Sequence, residues 1–377
     1  MRYTVDERHE RILELVRQHG TLRVTDLARH LQISTVTARR DVEALASRGR
    51  LNRVRGAVSW PGAPLVTDRG PLSAPVSHAG AVPDGEGLVL GMVLPQSQHY
   101  FGEIIRGAEE AAKEAGARLV LGFSGYQADQ DEVQARRLVD AGAHGLLLAP
   151  GWMTDGTDKD ARSLDFGVPT VLVERRPAAG TRAAEFDHVC SDHAGGAGLA
   201  VRHLAGLGHR KIALLAAGSA TGVHVRAGYE TGIRAAGLEH TQTLRIELPV
   251  GAINARNMEA AARQLVEAVE HQEISAALVV SDTDAIMLLQ LLRGFDRQLR
   301  VPQDLAIVAY DDEVAALSDL PLTAVAPPKR EVGRAAVGLL LQRVREGAQG
   351  QEAPRQHLAL LPRLWIRQSC GAELQGE

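Results

Sequence analysis

Arginines that point away from an apolar helix face are the side chains best suited to chemistry in the first sixty residues. Ala38, Val42 and Leu45 recur at helical spacing, so they share one face of a predicted helix over residues 34–48. Arg40 lies almost opposite that face, because each helical residue turns by about 100°. Arginine pairs with guanine and with phosphate through two parallel hydrogen bonds. The pattern therefore predicts a helix that lies in the major groove of DNA.

The segment 51–58, which follows this helix, alternates apolar and basic residues as a half-buried hairpin does. Its basic face would lie along a phosphate backbone, while the helix reads the bases. The residues predicted to contact DNA are Ser34, Thr35, Val36, Thr37, Arg39, Arg40, Arg53 and Arg55. Asp41 either orients the arginines before it or contacts another group. The alternative is that these arginines only solvate a small helical domain.

The charge of the chain is divided unevenly between its two ends. Residues 1–58 contain 12 arginines, no lysine and 7 acidic residues, a net charge of +5, whereas the rest of the chain carries −9. A basic head on an acidic body suits a protein that binds DNA with one end only.

Length and composition bound the remaining organisation. A chain of 377 residues is too long for one compact core and predicts two or three domains. No apolar run approaches the roughly 20 residues of a membrane span. The N-terminus lacks the apolar core of a secretory signal. Because there are only two cysteines, we expect no disulfide framework and a cytoplasmic location.

From residue 88 onward, continuous apolar runs alternate with amphipathic helical patterns. Such an alternation predicts parallel strands covered by helices, and two series of it predict two doubly wound α/β subdomains. Residues 59–87 contain five prolines with several glycines and serines, which predicts an extended linker with no visible hinge helix. Residues 369–377 are predicted to form a tail.

Polar side chains follow the predicted strands of the body, at the edge where parallel sheets bind their ligands. Arginines, carboxylates, an amide and an aromatic ring in one place favour a hydroxyl-rich ligand such as a sugar. The residues predicted to contact this ligand are Gln98, His99, Phe101, Asp129, Arg175, Arg226, Asn254, Ser281, Asp282 and Asp311.

Other motifs carry weaker signals. His188, Cys190 and His193 could suggest a metal site, but three close neighbours at a strand end make a poor tetrahedral set. The glycine-rich run 195–198 lacks the spacing of a phosphate loop and predicts tight helix packing. No serine, cysteine or lysine stands in a recognisable nucleophile context, so we predict no catalysis, no metal and no cofactor.

The first sixty residues closely resemble the DeoR-type winged helix-turn-helix. The resemblance rests on the segments ERHERILELVRQHG and LARHLQISTVTARRDVEALASRGRLNRVRGAV. Its most specific part is the T-x-R-R-D core from Thr37 to Asp41. The resemblance implies a DNA-binding domain over 1–58, in which helix 34–48 is the recognition helix and 51–58 is the wing.

Residues 88–368 resemble the effector domain of LacI-type repressors, which is related to type I periplasmic sugar-binding proteins. The segments that carry this resemblance include VLVERRP, SDHAGGAGLAVRHLAGLGHRKIALL, VVSDTDAIMLLQLLR and VPQDLAIVAYDDE. The resemblance implies a ligand in the cleft, with matching positions at Arg175, Arg226, Asp282 and Asp311.

The same resemblance implies three chain crossings between the subdomains, near Ser191, Asp311 and Val325. One subdomain would then comprise 88–190 and 312–325, and the other 191–311 and 326–368. The sequence departs from the LacI pattern at Ser281 and His193, each of which replaces a common asparagine, and in a loop at 95–101 that is one residue shorter.

The chain is therefore predicted to be a hybrid, with a DeoR-type head on a LacI-type body. We expect a transcriptional regulator that represses an operator as a homodimer or tetramer and responds to a small sugar-like effector, with no membrane partner. Three alternatives stay open. They are a DeoR-type regulator that senses a sugar phosphate on an isomerase-like fold, a sugar-binding protein with no role in transcription, and an enzyme on a doubly wound scaffold.

Overall fold

The structure of the protein is a computed structural model. It describes residues 8–9, 11–13, 15–16, 21–23, 27–28, 31, 33–47, 51–54, 57–59, 87–97, 100–151, 164–238, 244–248, 255–295, 299–350 and 353–372. The predictions for Arg55, for most of the linker and for residues 373–377 of the tail lie outside the described residues. The predicted start of the tail at residue 369 is wrong, because Ser369 and Cys370 are fully buried in the body. Within the described residues, no helix is long and apolar enough to cross a membrane.

The described part of the head is a winged helix-turn-helix. Its elements are β1 (Thr21–Arg23), α1 (Thr35–Ser47), β2 (Asn52–Val54) and β3 (Ala57–Ser59). The strands form one antiparallel sheet in the order β1-β3-β2. The predicted apolar face of α1 is buried, and its three residues pack with Ile12 and Leu27 in one core. Thr37 N donates to Ser34 Oγ at 3.0 Å, so Ser34 caps this helix.

The first lobe of the body is an all-parallel sheet with helices on its faces. Its strands and helices are β4 (Val89–Leu94), α2 (Tyr100–Glu114), β5 (Arg118–Phe123), α3 (Ala128–Asp140), β6 (Gly145–Leu148), β7 (Thr170–Val173) and β8 (Asp187–Ser191). A late return of the chain adds α8 (Lys329–Ala348) and β14 (His357–Leu360). The strand order is β14-β8-β7-β6-β4-β5.

The second lobe repeats this plan with one antiparallel edge strand. Its elements are α4 (His193–Gly206), β9 (Ile212–Ala217), α5 (Ala220–Ala235), β10 (Arg245–Leu248), α6 (Ala255–Glu270), β11 (Ala276–Val279), α7 (Asp282–Gly294), β12 (Ala306–Tyr310), β13 (Thr323–Ala326) and β15 (Arg363–Trp365). The strand order is β10-β9-β11-β12-β13-β15. The central strands are almost wholly buried and apolar, as strands covered on both faces must be. The predicted pair of doubly wound sheets is therefore confirmed.

The chain crosses between the described lobes after β8, between β13 and α8, and between β14 and β15. The crossing implied near Asp311 is wrong, because β12 and β13 are parallel neighbours in one sheet, with Val308 opposite Thr323. Residues 312–325 therefore belong to the second lobe. The range 326–368 is divided, since α8 and β14 pack in the first lobe and β15 in the second.

Helices α2 and α8 meet backbone to backbone at two glycines. A Cβ on Gly333 would lie 2.0 Å from the carbonyl oxygen of Ile104, and one on Gly107 would lie 2.0 Å from that of Arg330. No side chain fits at either point unless the helices separate. This contact holds the late-returning α8 against the helix that follows the lobe's first strand.

We expect Gly333→Ala to lower the free energy of unfolding by about 1–3 kcal/mol, because the added methyl group overpacks the contact. Gly338→Ala, in the same helix, is the matched control. Its Cβ would have no neighbour within 4 Å, and alanine favours an exposed helix by roughly 1 kcal/mol. Urea unfolding of the two variants should therefore shift in opposite directions. An unchanged midpoint for Gly333→Ala would contradict the close approach.

Candidate functional site

A cavity of about 660 Å³ lies between the two lobes, within the usual range for small-molecule sites. The first lobe lines it with Gln96, Tyr100, Phe101, Tyr126, Gly151, Glu174 and Arg175. The second lobe lines it with Ala217, Ser219, Ala220, Thr221, Val280, Ser281, Asp284 and Asp311. These residues follow the carboxyl ends of parallel strands or begin the next helix, which is where open α/β sheets bind ligands.

Arg175 is a buried cation on the cavity wall, only 5% exposed. Its Nε donates to the carbonyl of Pro150 at 2.7 Å, and its Nη1 donates to the carbonyl of Glu174 at 2.8 Å. Burial lowers the pKa of Arg175 from its ordinary value. Within the described chain, no carboxylate lies within ion-pairing distance of it, so Arg175 is fixed in place by neutral partners.

The wall beside Arg175 is tied to the first crossing by a buried hydrogen-bond network. Glu174 Oε1 accepts from Ser191 Oγ at 2.7 Å and from Ser191 N at 3.2 Å, while Oε2 lies 3.3 Å from His193 Nε2. The other ring nitrogen of His193 lies 3.2 Å from the hydroxyl of Tyr310 in the second lobe. Burial opposes ionisation of Glu174, but His193 and Ser191 outweigh it and lower the pKa of the carboxyl. The network therefore connects a carboxylate of one lobe to a strand end of the other.

Asp311 provides a buried acceptor, its Oδ1, on the cavity wall. Its backbone has a φ of +88°, a strained value for a residue with a side chain. Its Oδ1 is buried and, within the described part of the protein, makes no hydrogen bond. Burial raises the pKa of Asp311 to about 6, against the opposing charges of Lys329 and His193. An unsatisfied carboxylate oxygen on a cavity wall is suited to accept a hydrogen bond from a ligand hydroxyl.

This environment predicts a pH-dependent effect of Asp311→Asn on stability. Above pH 6 the wild-type carboxyl is ionised and poorly compensated, so the neutral amide should raise the melting temperature by roughly 2–4 °C. Near pH 5 the wild-type carboxyl is protonated, and the difference should shrink. Thermal unfolding at pH 8 and pH 5 measures both. Asp129→Asn, at an exposed position, serves as the control, and equal gains at the two pH values would contradict the raised pKa.

Four of the ten predicted ligand residues line the cavity, namely Phe101, Arg175, Ser281 and Asp311. Asp129, Arg226 and Asp282 are not on its wall. Gln98, His99 and Asn254 lie outside the described residues. The cavity therefore forms at the predicted edge, with a partly different set of side chains.

Asp282 and Arg226 have other partners in the structure. Asp282 Oδ2 accepts from the backbone amides of Val314 and Ala315 at 2.6 and 3.0 Å, so it holds the loop after Asp311 from behind the wall. Arg226 Nη2 donates to Glu247 Oε2 at 2.6 Å, and both side chains of this ion pair are partly exposed. Neither side chain lies on the cavity wall in this structure, and their contact with the ligand stays a prediction.

Ala220, Thr221 and Asp284, which begin helices on the cavity wall, were not predicted from the sequence. Ser219 and Ser281 occupy the N-cap positions of α5 and α7, so Ala220, Thr221 and Asp284 follow them into the site. The signal was present, because a serine just after a predicted strand marks a helix start. No pattern in the sequence indicated that Tyr100 and Glu174 line the cavity. The Tyr100 hydroxyl lies 3.3 Å from Ser191 Oγ, a contact between residues far apart in sequence.

The DNA-binding surface predicted on the head is described in part. Ser34 and Arg40 are exposed on α1. Of Thr35, Val36, Arg39 and Arg53 the structure describes the backbone only, in α1 and β2. A capped helix with an exposed Ser34 at its start and an exposed Arg40 in its second turn, next to a two-stranded wing, has the geometry of a major-groove reader.

Asp41 ties the recognition helix to the first helical segment of the head. It is 5% exposed and accepts from Arg8 Nε and Nη2 at 2.5 and 3.0 Å. His9 Nε2 lies 3.4 Å from Asp41 Oδ1, the oxygen that also accepts from Arg8 Nη2. Of the two roles left open for Asp41, the structure therefore shows a contact with another group.

Comparison with known proteins agrees with this architecture. A family model described as a DeoR-like helix-turn-helix domain matches residues 8–61, and one described as a periplasmic binding protein-like domain matches residues 201–370. The transcriptional regulator CelR of Thermobifida fusca is 30% identical over 277 residues, which cover 72% of this chain and 76% of the relative. The chain belongs to the LacI family of transcriptional regulators. Its DeoR-like head makes it the hybrid that the sequence predicted.

Two further relatives fit this assignment. The ribose operon repressor of Escherichia coli K12 is 28% identical over 292 residues, covering 74% of this chain and 82% of the relative. A solved CelR–cellobiose complex has a TM-score of 0.62 and 26% identity, covering 90% of this chain and 92% of that one. These relatives are transcription factors rather than enzymes. The alternative of a DeoR-type regulator with an isomerase-like body is wrong, because the body of this LacI-family chain has two doubly wound lobes.

Proposed function

We propose that this LacI-family regulator is a repressor whose affinity for its operator is set by a small polyhydroxylated ligand bound between the lobes. The observation that carries the proposal is the cavity of about 660 Å³ whose walls come from both lobes. A ligand held by both walls favours one angle between the lobes over another. It can change DNA affinity only through this difference, typically about 1–3 kcal/mol.

The chemistry of the walls supports a sugar or sugar derivative. Arg175 offers donors, Asp311 offers a buried free acceptor, and the hydroxyls of Ser219 and Thr221 can do both. Phe101 is buried at the wall and gives an apolar surface for a sugar ring. The relatives named for a ribose operon and solved with cellobiose support the same ligand class.

The remaining predictions form part of the proposal. A homodimer would present two copies of α1 to successive half-sites of the operator. Thr35, Val36, Thr37 and Arg40 would read bases, Ser34 would contact the DNA beside them, and Arg39, Arg53 and Arg55 would contact phosphates. We place the head at 1–58, the linker at 59–87 and the effector domain at 88–368.

The test is a titration of the purified protein on a labelled duplex that carries its own promoter, with an unrelated duplex as control. We expect tight binding that weakens steeply with salt, because phosphate contacts release counterions. At fixed salt, sugars that raise the melting temperature of the protein should shift the binding curve. Absence of salt-sensitive affinity for the promoter would refute the proposed function.

A further inference from the structure

A small recess of about 20 Å³ opens beside the main cavity, and its lining is rich in cations. It shares Glu174, Arg175 and the first residues of α5 with the main cavity, and it adds Arg176 and His224. Two adjacent arginines of the first lobe therefore face the start of a helix in the second lobe. The recess is lined by both lobes and lies next to the crossing at His193.

Neither arginine of the recess has an acidic partner in the described chain. Arg175 is 5% exposed, and its Nε and Nη1 donate hydrogen bonds to neutral backbone carbonyls. Arg176 is exposed and lines the recess. Burial is the largest cause of the lowered pKa of His188 and of His224, and the positive charge of Arg176 lowers both further. A buried guanidinium without a counter-ion is unfavourable, so an incoming anion would relieve it.

The facing helix adds a positive end. Ser219 caps α5 by accepting from Gly222 N at 3.1 Å, which leaves the amides of Ala220 and Thr221 at the mouth of the recess. The N-terminus of a 16-residue helix carries a partial positive charge and free N–H donors.

Among the described residues, Glu174 is the one carboxylate of the recess lining, and both of its oxygens already face protein groups. Its oxygens face Ser191 and His193 at 2.7 and 3.3 Å. The other carboxylates of the site, Asp284 and Asp311, line the main cavity and not the recess. The cleft therefore has a basic end in the recess and an acidic end in the main cavity.

We propose that the effector is a sugar acid, a polyhydroxylated carboxylate whose acid group binds in the recess between Arg175–Arg176 and the N-terminus of α5. The hydroxyls then occupy the main cavity, where Asp311 accepts one of them. The recess is small, about 20 Å³, so it admits the flat end of a carboxylate more readily than a bulkier tetrahedral phosphate. The acid bridges both lobes and so stabilises the closed cleft. This inference rests on the proposed function and specifies its ligand.

The experiment compares matched sugars by calorimetry on the full-length protein. The panel pairs galactose with galacturonate and glucose with glucuronate and gluconate, and it adds glucose 6-phosphate. We expect one acid to bind at least about 10-fold tighter than its neutral parent, with affinity that falls as salt rises. A neutral sugar that binds as well as its acid, a phosphate ester that binds tighter, or a panel in which no acid binds would overturn the proposal.

Arg176→Gln provides the test of the subsite, because this exposed residue can change without disturbing the core. It should weaken binding of the acid about 10-fold and leave the neutral parent unchanged. Arg182→Gln removes the same charge from an exposed position of the same lobe away from both cavities and should do neither. Equal loss for acid and neutral sugar in Arg176→Gln would refute the subsite. Operator binding without ligand reports separately on the proposed function, since none of these outcomes alters it.

Discussion

Arg40→Ala is expected to weaken specific operator binding by about 100-fold or more while ligand binding in the cleft stays unchanged. Arg40 is exposed on α1, on the side opposite the residues that fill the core of the head. A bidentate arginine–guanine pair is worth about 1–3 kcal/mol against the wrong base. In a dimer the loss occurs in both half-sites.

The measurement is fluorescence anisotropy on the promoter duplex and on a scrambled duplex of the same length. Affinity for the promoter should fall towards that for the scrambled duplex, which itself depends on phosphate contacts and changes less. Arg118→Ala removes one exposed positive charge from β5 in the first lobe and should bind like the wild type. If Arg40→Ala kept the preference for the promoter over the scrambled duplex, Arg40 would not be the residue through which α1 recognises the operator.

The fold of the body could be predicted from its sequence because its strands are continuous apolar runs. A segment such as Ala306–Tyr310 is buried along its whole length, and only a strand covered on both faces requires that pattern. The lobe to which α8 belongs could not be predicted in this way. An amphipathic helix shows that it covers a sheet, but periodicity does not show which one. The packing of α8 against α2 decides it, and that packing joins residues far apart in sequence, such as Gly333 and Ile104.

The cavity lies at the predicted edge of the sheets, but several of the predicted residues do not line it, for a related reason. A position just after a strand places a residue near the cleft, but a polar side chain there can turn towards the protein as well as towards the ligand. Asp282 turns back to the amides of Val314 and Ala315, and Asp311 is left with a free buried oxygen.

The late-returning segment is joined to the first lobe by a buried charge cluster at the start of β8. Asp187 is fully buried, and its carboxylate accepts from Arg343 Nε and Nη2 at 2.9 and 2.7 Å. It also accepts from Gln356 N at 2.7 Å and from Arg355 at 3.2 Å. Burial opposes ionisation, yet these bonds outweigh it and lower the pKa of Asp187 below its ordinary value. One carboxylate therefore fastens α8 and the segment before β14 to β8.

Asp187→Ala is expected to lower the free energy of unfolding by about 3–5 kcal/mol at pH 7, because it leaves Arg343 buried without its main partner. Asp319→Ala is the matched control. Its carboxylate is 88% exposed and meets Arg293 at 3.3 Å, and such surface pairs contribute about 0–1 kcal/mol. Urea unfolding followed by circular dichroism compares the two. A small loss for Asp187→Ala, like that of the control, would mean that the cluster does not join the late segment to the lobe.

The pH dependence of this difference gives a second reading of the same cluster. A carboxyl whose pKa is lowered by folding stabilises the protein above its unfolded pKa of about 3.9, and this contribution is lost as the pH falls through the folded value. The gap between wild type and Asp187→Ala should therefore be constant from pH 8 to pH 5 and should narrow only below about pH 4. A gap that already narrows between pH 7 and pH 5 would show that Asp187 is protonated too easily to hold Arg343, and that packing of α8 alone secures the lobe.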